Sequence, residues 1–264
     1  MTAIAMVYVV PAFVIAADGR RRWADQRSID ESMKSQEVDN QQKIFSARFK
    51  GRDIAYALTG LAFNHDRTFD LFEETRKTAT TLENAKLANL YEYVGAFGDS
   101  IANAYAAARQ DGRFGQFGIN SFYSDPQQQN VLATIFMAGY FRKNDPSLGM
   151  LIISHQDQVV LAPKPIFQTP PRNPILSGSA IAELMYGKRD PRFAKYFRPI
   201  SRTGTLEEAE EYARNYIEAC SDPTAAEIDP ECNGIGGHIH MATLTKQDGF
   251  NWIPGFGPKI GSSL

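Results

Sequence analysis

Met1-Thr2-Ala3-Ile4-Ala5-Met6-Val7-Tyr8-Val9-Val10-Pro11-Ala12-Phe13-Val14-Ile15-Ala16-Ala17-Asp18 is the stretch that decides the fold. Two runs of small and β-branched apolar residues, 3–9 and 13–17, flank Val10-Pro11-Ala12. Proline pre-sets the backbone angle of a tight turn, so the stretch reads as two strands buried on both faces and joined at Pro11. It is too short to span a membrane, which takes about 20 apolar residues. A secretory signal needs a positive start, and no Lys or Arg precedes Arg20. A cytoplasmic protein is therefore expected.

The composition agrees. The 264 residues are 43% hydrophobic and 22% charged, with a formal net charge of -2. Such a chain suits a soluble globular protein, with residues 1–264 forming a single domain. There is no basic tail, and Arg20-Arg21-Arg22 is balanced by Asp18, Asp25, Asp30 and Glu31, so no nucleic-acid partner is expected. Cys220 and Cys232 are too few for a disulfide framework, and a reduced pair is the default.

Outward from the opening stretch, residues 18–42 are polar and read as loops with an exposed strand segment. Residues 43–49 alternate and 54–60 form a further apolar run, giving a series of antiparallel strands. Helical spacing starts near Asp66 and runs through Phe69, Phe72, Leu82, Ala85, Leu87 and Leu90. An alanine-rich second helix covers Asp99–Arg109 and ends before Gly112, with 113–130 as loop. Strands follow at 130–140, 149–154 and 158–163. Pro165, Pro170, Pro171 and Pro174 mark an irregular connection. A helix over 179–186, a charged excursion over 187–204, and a helix from Thr205 to about Ser221 come next. Thr205 and Glu208 form a capping-box pattern at the start of that helix. A loop over 222–234 leads to a last strand, 238–245. No helix alternates with each strand, so a doubly wound parallel sheet is excluded. The order predicts an α+β fold, a four-layer αββα sandwich of two antiparallel sheets flanked by helix layers.

Thr2 follows a methionine of the kind that aminopeptidases remove. Exposed as a chain start, a threonine carries its own general base, because an α-amine with a pKa of about 8 is largely available at neutral pH. Asp18 lies sixteen residues after Thr2 and Lys34 thirty-two residues after it. Val14-Ile15-Ala16-Ala17-Asp18-Gly19-Arg20, Lys43-Ile44-Phe45, Ile54 to Ala62, Ser177-Gly178-Ser179, Gly236-Gly237 and Lys246-Gln247-Asp248-Gly249 follow in order. Together these residues resemble the proteasome-type N-terminal-nucleophile (Ntn) hydrolases, in their β-subunit and bacterial peptidase-subunit group. The resemblance implies a threonine peptidase of that fold, with Thr2 as nucleophile, Asp18 and Lys34 tuning it, and Ser177 bonded near its amine. It places an oxyanion donor at a backbone N–H near residue 48. It implies no cofactor and no metal. The implied partners are a peptide or unfolded protein as substrate, further copies in a homo-oligomeric ring, and an unfoldase.

Two positions depart from the family pattern. Cys232 stands where an aspartate supports the terminal amine, and Ile235 stands for a serine. Asp229 or Glu231 is the substitute at hand. His238 and His240 share a strand face, and a satisfied pair is expected there rather than metal ligands. Two other readings keep the fold. One is a non-catalytic structural subunit that retains Met1, against which the direct start at a strand argues. The other is an amidohydrolase acting on a small amide.

Overall fold

The computed structural model describes residues 2–20, 39–64, 68–115, 118–119, 123–124, 130–140, 145–169, 171–177, 180–186 and 190–258. In chain order the first strands are β1 (Ile4–Val9), β2 (Ala12–Asp18), β3 (Ile44–Phe49) and β4 (Arg52–Gly60). Two helices follow, α1 (Leu71–Glu83) and α2 (Leu90–Gln110). Then come β5 (Tyr123–Ser124), β6 (Asn130–Tyr140), β7 (Pro146–Gln156), β8 (Val159–Val160), β9 (Lys164–Gln168) and β10 (Ile175–Leu176). The remainder holds α3 (Ala180–Met185), α4 (Leu206–Ser221), α5 (Ala225–Ile228), β11 (Ile239–Thr245) and β12 (Gly249–Trp252).

The chain divides into two compact units. The first combines Met1–Ile44 with Arg172–Leu264. Its sheet runs β10-β1-β2-β11-β12, all pairs antiparallel. The hairpin at Pro11 forms as the opening stretch suggests, with Ile4 opposite Ala17 and Val9 opposite Ala12. β2 then pairs with β11, which sets Ile239 opposite Asp18. Ala3, just ahead of β1, and the alternate β1 residues Ala5, Val7 and Val9 pack in one cluster with Ala209, Tyr212, Ala213, Tyr216 and Ile217 of α4. Spacings of three and four put those α4 residues on one face, and the capping box at Thr205 and Glu208 fixes where the helix starts. The excursion before α4 is tied back by Arg192 to Glu227, Lys195 to Asp222 and Arg198 to Glu211.

The second unit is Phe45–Pro171. Its sheet runs β3-β4-β6-β7-β8, with β5 on β6 and β9 on β7. Phe45, Ile54, Tyr56, Leu58, Ile135, Leu151 and Ile153 share a core with Phe72, Tyr93, Phe97 and Ile101 of the two helices. Asp70 accepts from the N–H groups of Phe72 and Glu73, and Asn89 from that of Glu92, so the helical pattern is cut into α1 and α2 at 84–89.

The α+β class stands, but the four-layer αββα sandwich does not. Each sheet is partnered by the helices of its own unit, α4 with β1, β2 and β11, and α2 with β7, β8 and β9. The arrangement is therefore two sheet-and-helix units. Among the described residues, no helix is long and apolar enough to cross a membrane.

Candidate active site around Asp18 and the start of β1

Asp18 ends β2 with its side chain fully buried. Its Oδ1 accepts from the Ala3 N–H at 2.9 Å and from Lys43 Nζ at 3.0 Å. Its Oδ2 accepts from the N–H groups of Arg20 at 3.2 Å and Gly236 at 3.4 Å. Four donors on two oxygens are a set that an ionised carboxylate satisfies. Burial nevertheless pushes the Asp18 carboxyl up, and Lys43 and the backbone N–H groups pull against that rise. The ion pair is therefore the element that keeps charge in this interior.

Lys43 is 3% exposed and also donates to the Arg20 carbonyl at 2.6 Å. The backbone explains how it arrives there. Gln41 N–H donates to the Gly19 carbonyl, His238 N–H to the Asp39 carbonyl, and Arg20 N–H to the Gly236 carbonyl. Segments 18–20, 39–41 and 236–238 are thus laced together directly behind Asp18. Gly19 is required by this lacing, since a Cβ there would stand 2.5 Å from the His238 carbonyl oxygen and 2.9 Å from that of Asp39.

Thr2 is buried, 8% exposed, and stands just ahead of β1. The two residues after it are each held by both backbone groups. Ala3 donates to Asp18 and accepts from the Asp18 N–H at 3.2 Å. Ile4 donates to Ser177 Oγ at 3.0 Å and accepts from the Ser177 N–H at 2.8 Å. Ser177, 2% exposed, is itself braced by Tyr216 of α4. Thr2, Asp18 and Ser177 are in this way brought to one end of the first sheet.

Lys34 lies outside the described residues. Among the described residues the lysine on Asp18 is Lys43, to which the count from Thr2 did not point. Its position at the head of the alternating run 43–49 was the available signal, because a strand start marks place in a sheet more reliably than a count made across a polar excursion. The backbone near residue 48 belongs to β3 within the second unit.

The two departures are both buried, Cys232 at 4% and Ile235 at 3% exposure. Asp229 uses Oδ1 on the Glu231 N–H and Oδ2 on the Ala180 N–H. Burial raises the Glu231 carboxyl, and the neighbouring Asp229 raises it further. The His238 and His240 rings meet edge to face, centroids 4.9 Å apart, with His238 Nε2 3.1 Å from the Gly257 carbonyl oxygen. No group of three His, Cys, Asp or Glu placed to hold a metal occurs among the described residues.

No protein-family model matches the chain, and no curated protein does. Solved structures do. One is Anbu (ancestral beta-subunit) from Yersinia bercovieri, with TM-score 0.56 and 11% identity, covering 96% of this chain and 87% of that one. Another is an Anbu (Gly-1) mutant from Hyphomicrobium sp. strain MC1, with TM-score 0.57 and 13% identity, covering 96% of this chain and 84% of that one. These overturn the assignment to the β-subunit and bacterial peptidase-subunit group. The neighbours are Anbu proteins, and at such identity the likeness is one of fold. The chain shares the fold of Anbu, an ancestral beta-subunit.

Proposed function

We propose that the chain is a hydrolase that cleaves peptide bonds with Thr2 as nucleophile, once Met1 has been removed. The observation that carries this reading is the bonding of Ala3, next to Thr2, to the buried Asp18 carboxylate that also holds Lys43. A buried ion pair is poor evidence for stability and better evidence for a place where charge is needed.

In this reading Thr2 Oγ attacks the carbonyl carbon and its proton passes to the free α-amine. The Lys43 ammonium lowers the cost of forming the alkoxide. The tetrahedral intermediate collapses, the C–N bond breaks, and the leaving amine takes the proton from the Thr2 ammonium. The ester left on Thr2 is hydrolysed by water, with the amine again as base. Asp18 keeps Lys43 charged and fixes Ala3. Ser177 fixes Ile4. Asp229 or Glu231, close in sequence to Cys232, is the acidic group proposed to support the amine in place of the missing aspartate.

The fold shared with Anbu, an ancestral beta-subunit, supports the reading at the level of architecture. The test is intact mass together with an epoxyketone that reacts with a threonine amine and hydroxyl. Mature protein should begin at Thr2 and gain one adduct there, and Thr2→Ala should lose both adduct and hydrolysis. Active protein that keeps Met1 sinks the mechanism. An adduct without cleavage of any peptide or casein-like substrate turns the assignment towards a small amide.

A further inference from the structure

Tyr216 sits on α4, fully buried, with its hydroxyl against Ser177 rather than against solvent. The phenol donates to the Ser177 carbonyl oxygen at 2.6 Å and lies 3.1 Å from Ser177 Oγ. A phenol has one proton. With that proton on the carbonyl, the Ser177 hydroxyl is the donor in the second contact. Its proton then points at Tyr216, and a lone pair is turned to the Ile4 N–H at 3.0 Å. Tyr216 therefore decides which way the serine hydroxyl faces, and the serine, together with Asp18, holds the start of the first strand.

We propose that Tyr216 is a positioning residue for the nucleophile. It orients Ser177 so that Ile4, and with it Thr2 two residues earlier, stands in one place. The proposal rests on the reading of Thr2 as the reactive group. The plain alternative is a core tyrosine whose hydroxyl is merely satisfied, and the two readings differ in what Tyr216→Phe does. A phenylalanine keeps the packing and frees the serine to rotate.

The experiment compares wild type, Tyr216→Phe, Ser177→Ala and the double variant by amide hydrogen exchange at Ile4 and by steady-state hydrolysis. Tyr216→Phe should raise Ile4 exchange by about tenfold, with exchange along β11 unchanged. It should lower kcat by about tenfold with KM unchanged, and have no further effect on kcat in the Ser177→Ala background. Ile4 exchange within about twofold of wild type overturns the proposal, whatever hydrolysis shows. Faster exchange with unchanged kcat, or additive effects in the double variant, also overturns it. Should Tyr216→Phe not fold, Ser177→Ala takes its place, and unchanged Ile4 exchange there is equally fatal. Wild-type protein that neither hydrolyses nor labels at Thr2 defeats the nucleophile reading instead. Ile4 exchange then still decides whether Tyr216 sets this strand end.

Discussion

Lys43 Nζ stands 3.0 Å from Asp18 Oδ1, and the two side chains are 4% and 0% exposed. Bringing both charges out of water costs more than one contact returns. The three backbone N–H groups on Asp18 and the Arg20 carbonyl on Lys43 supply the remainder. The pair is thus inseparable from the backbone around it, including the residue that follows Thr2.

Lys43→Ala should lower the rate of Thr2 labelling and of hydrolysis by roughly 10²–10⁴-fold, whereas Lys34→Ala should stay within about twofold of wild type. Rates of adduct formation by mass spectrometry decide between the two lysines. The opposite order would return the role to Lys34.

Asp18→Asn should destabilise the fold by roughly 3–5 kcal/mol, because it leaves the Lys43 charge buried without its partner. Combining it with Lys43→Met removes that charge and should recover a large part of the loss. Urea unfolding of both variants measures this. Additive losses would show that the two residues do not act as a pair.

Gly19→Ala should cost about 1–3 kcal/mol, since the added carbon meets two backbone oxygens, of His238 and Asp39, that cannot swing away. Because Gly19 lies between Asp18 and Arg20, Thr2 labelling should fall with it. A melting temperature and labelling rate equal to wild type would contradict the lacing of segments 18–20, 39–41 and 236–238.

Asp222 gives a pH signature away from the site. The N–H and hydroxyl of Thr224, then Lys195 and Tyr196, hold its carboxyl well below the usual range. A depressed folded value contributes stability above the unfolded pKa of about 3.9, and that contribution is lost as pH falls below it. Asp222→Asn should therefore lower Tm by roughly 2–4 °C at pH 7. The gap to wild type should narrow below about pH 4. A gap independent of pH would mean that Asp222 acts through shape alone.

The hairpin at Pro11 was legible because an apolar run, a proline and a second apolar run leave few alternatives. Asp18 was legible as the polar residue that ends such a strand. Lys43 was not, because the length of an excursion is free to vary while the place of a strand start is not. The boundary of α2 was hidden, since Leu82, Ala85, Leu87 and Leu90 continue a helical spacing through 84–89, and only the caps Asn84 and Asn89 mark the break. β9 was read as irregular on account of Pro165, yet a proline is tolerated on a strand with one free edge. The layer count failed for a different reason. Element order gives the number of sheets and helices, but which helix covers which sheet depends on contacts between distant segments.

The reach of Asp18 along the chain has a consequence for timing. Its hydrogen bond to the Gly236 N–H spans 218 residues, and the β11 strand that closes on β2 begins only at Ile239. A ribosome emits Thr2 and Asp18 long before Gly236. Until then the carboxylate lacks a donor, and β2 lacks its second neighbour. Contacts of such long separation also form slowly once both ends exist. If Thr2 is the nucleophile proposed above, the growing chain consequently carries it without these surroundings, and the chemistry is withheld until Gly236 and β11 have emerged.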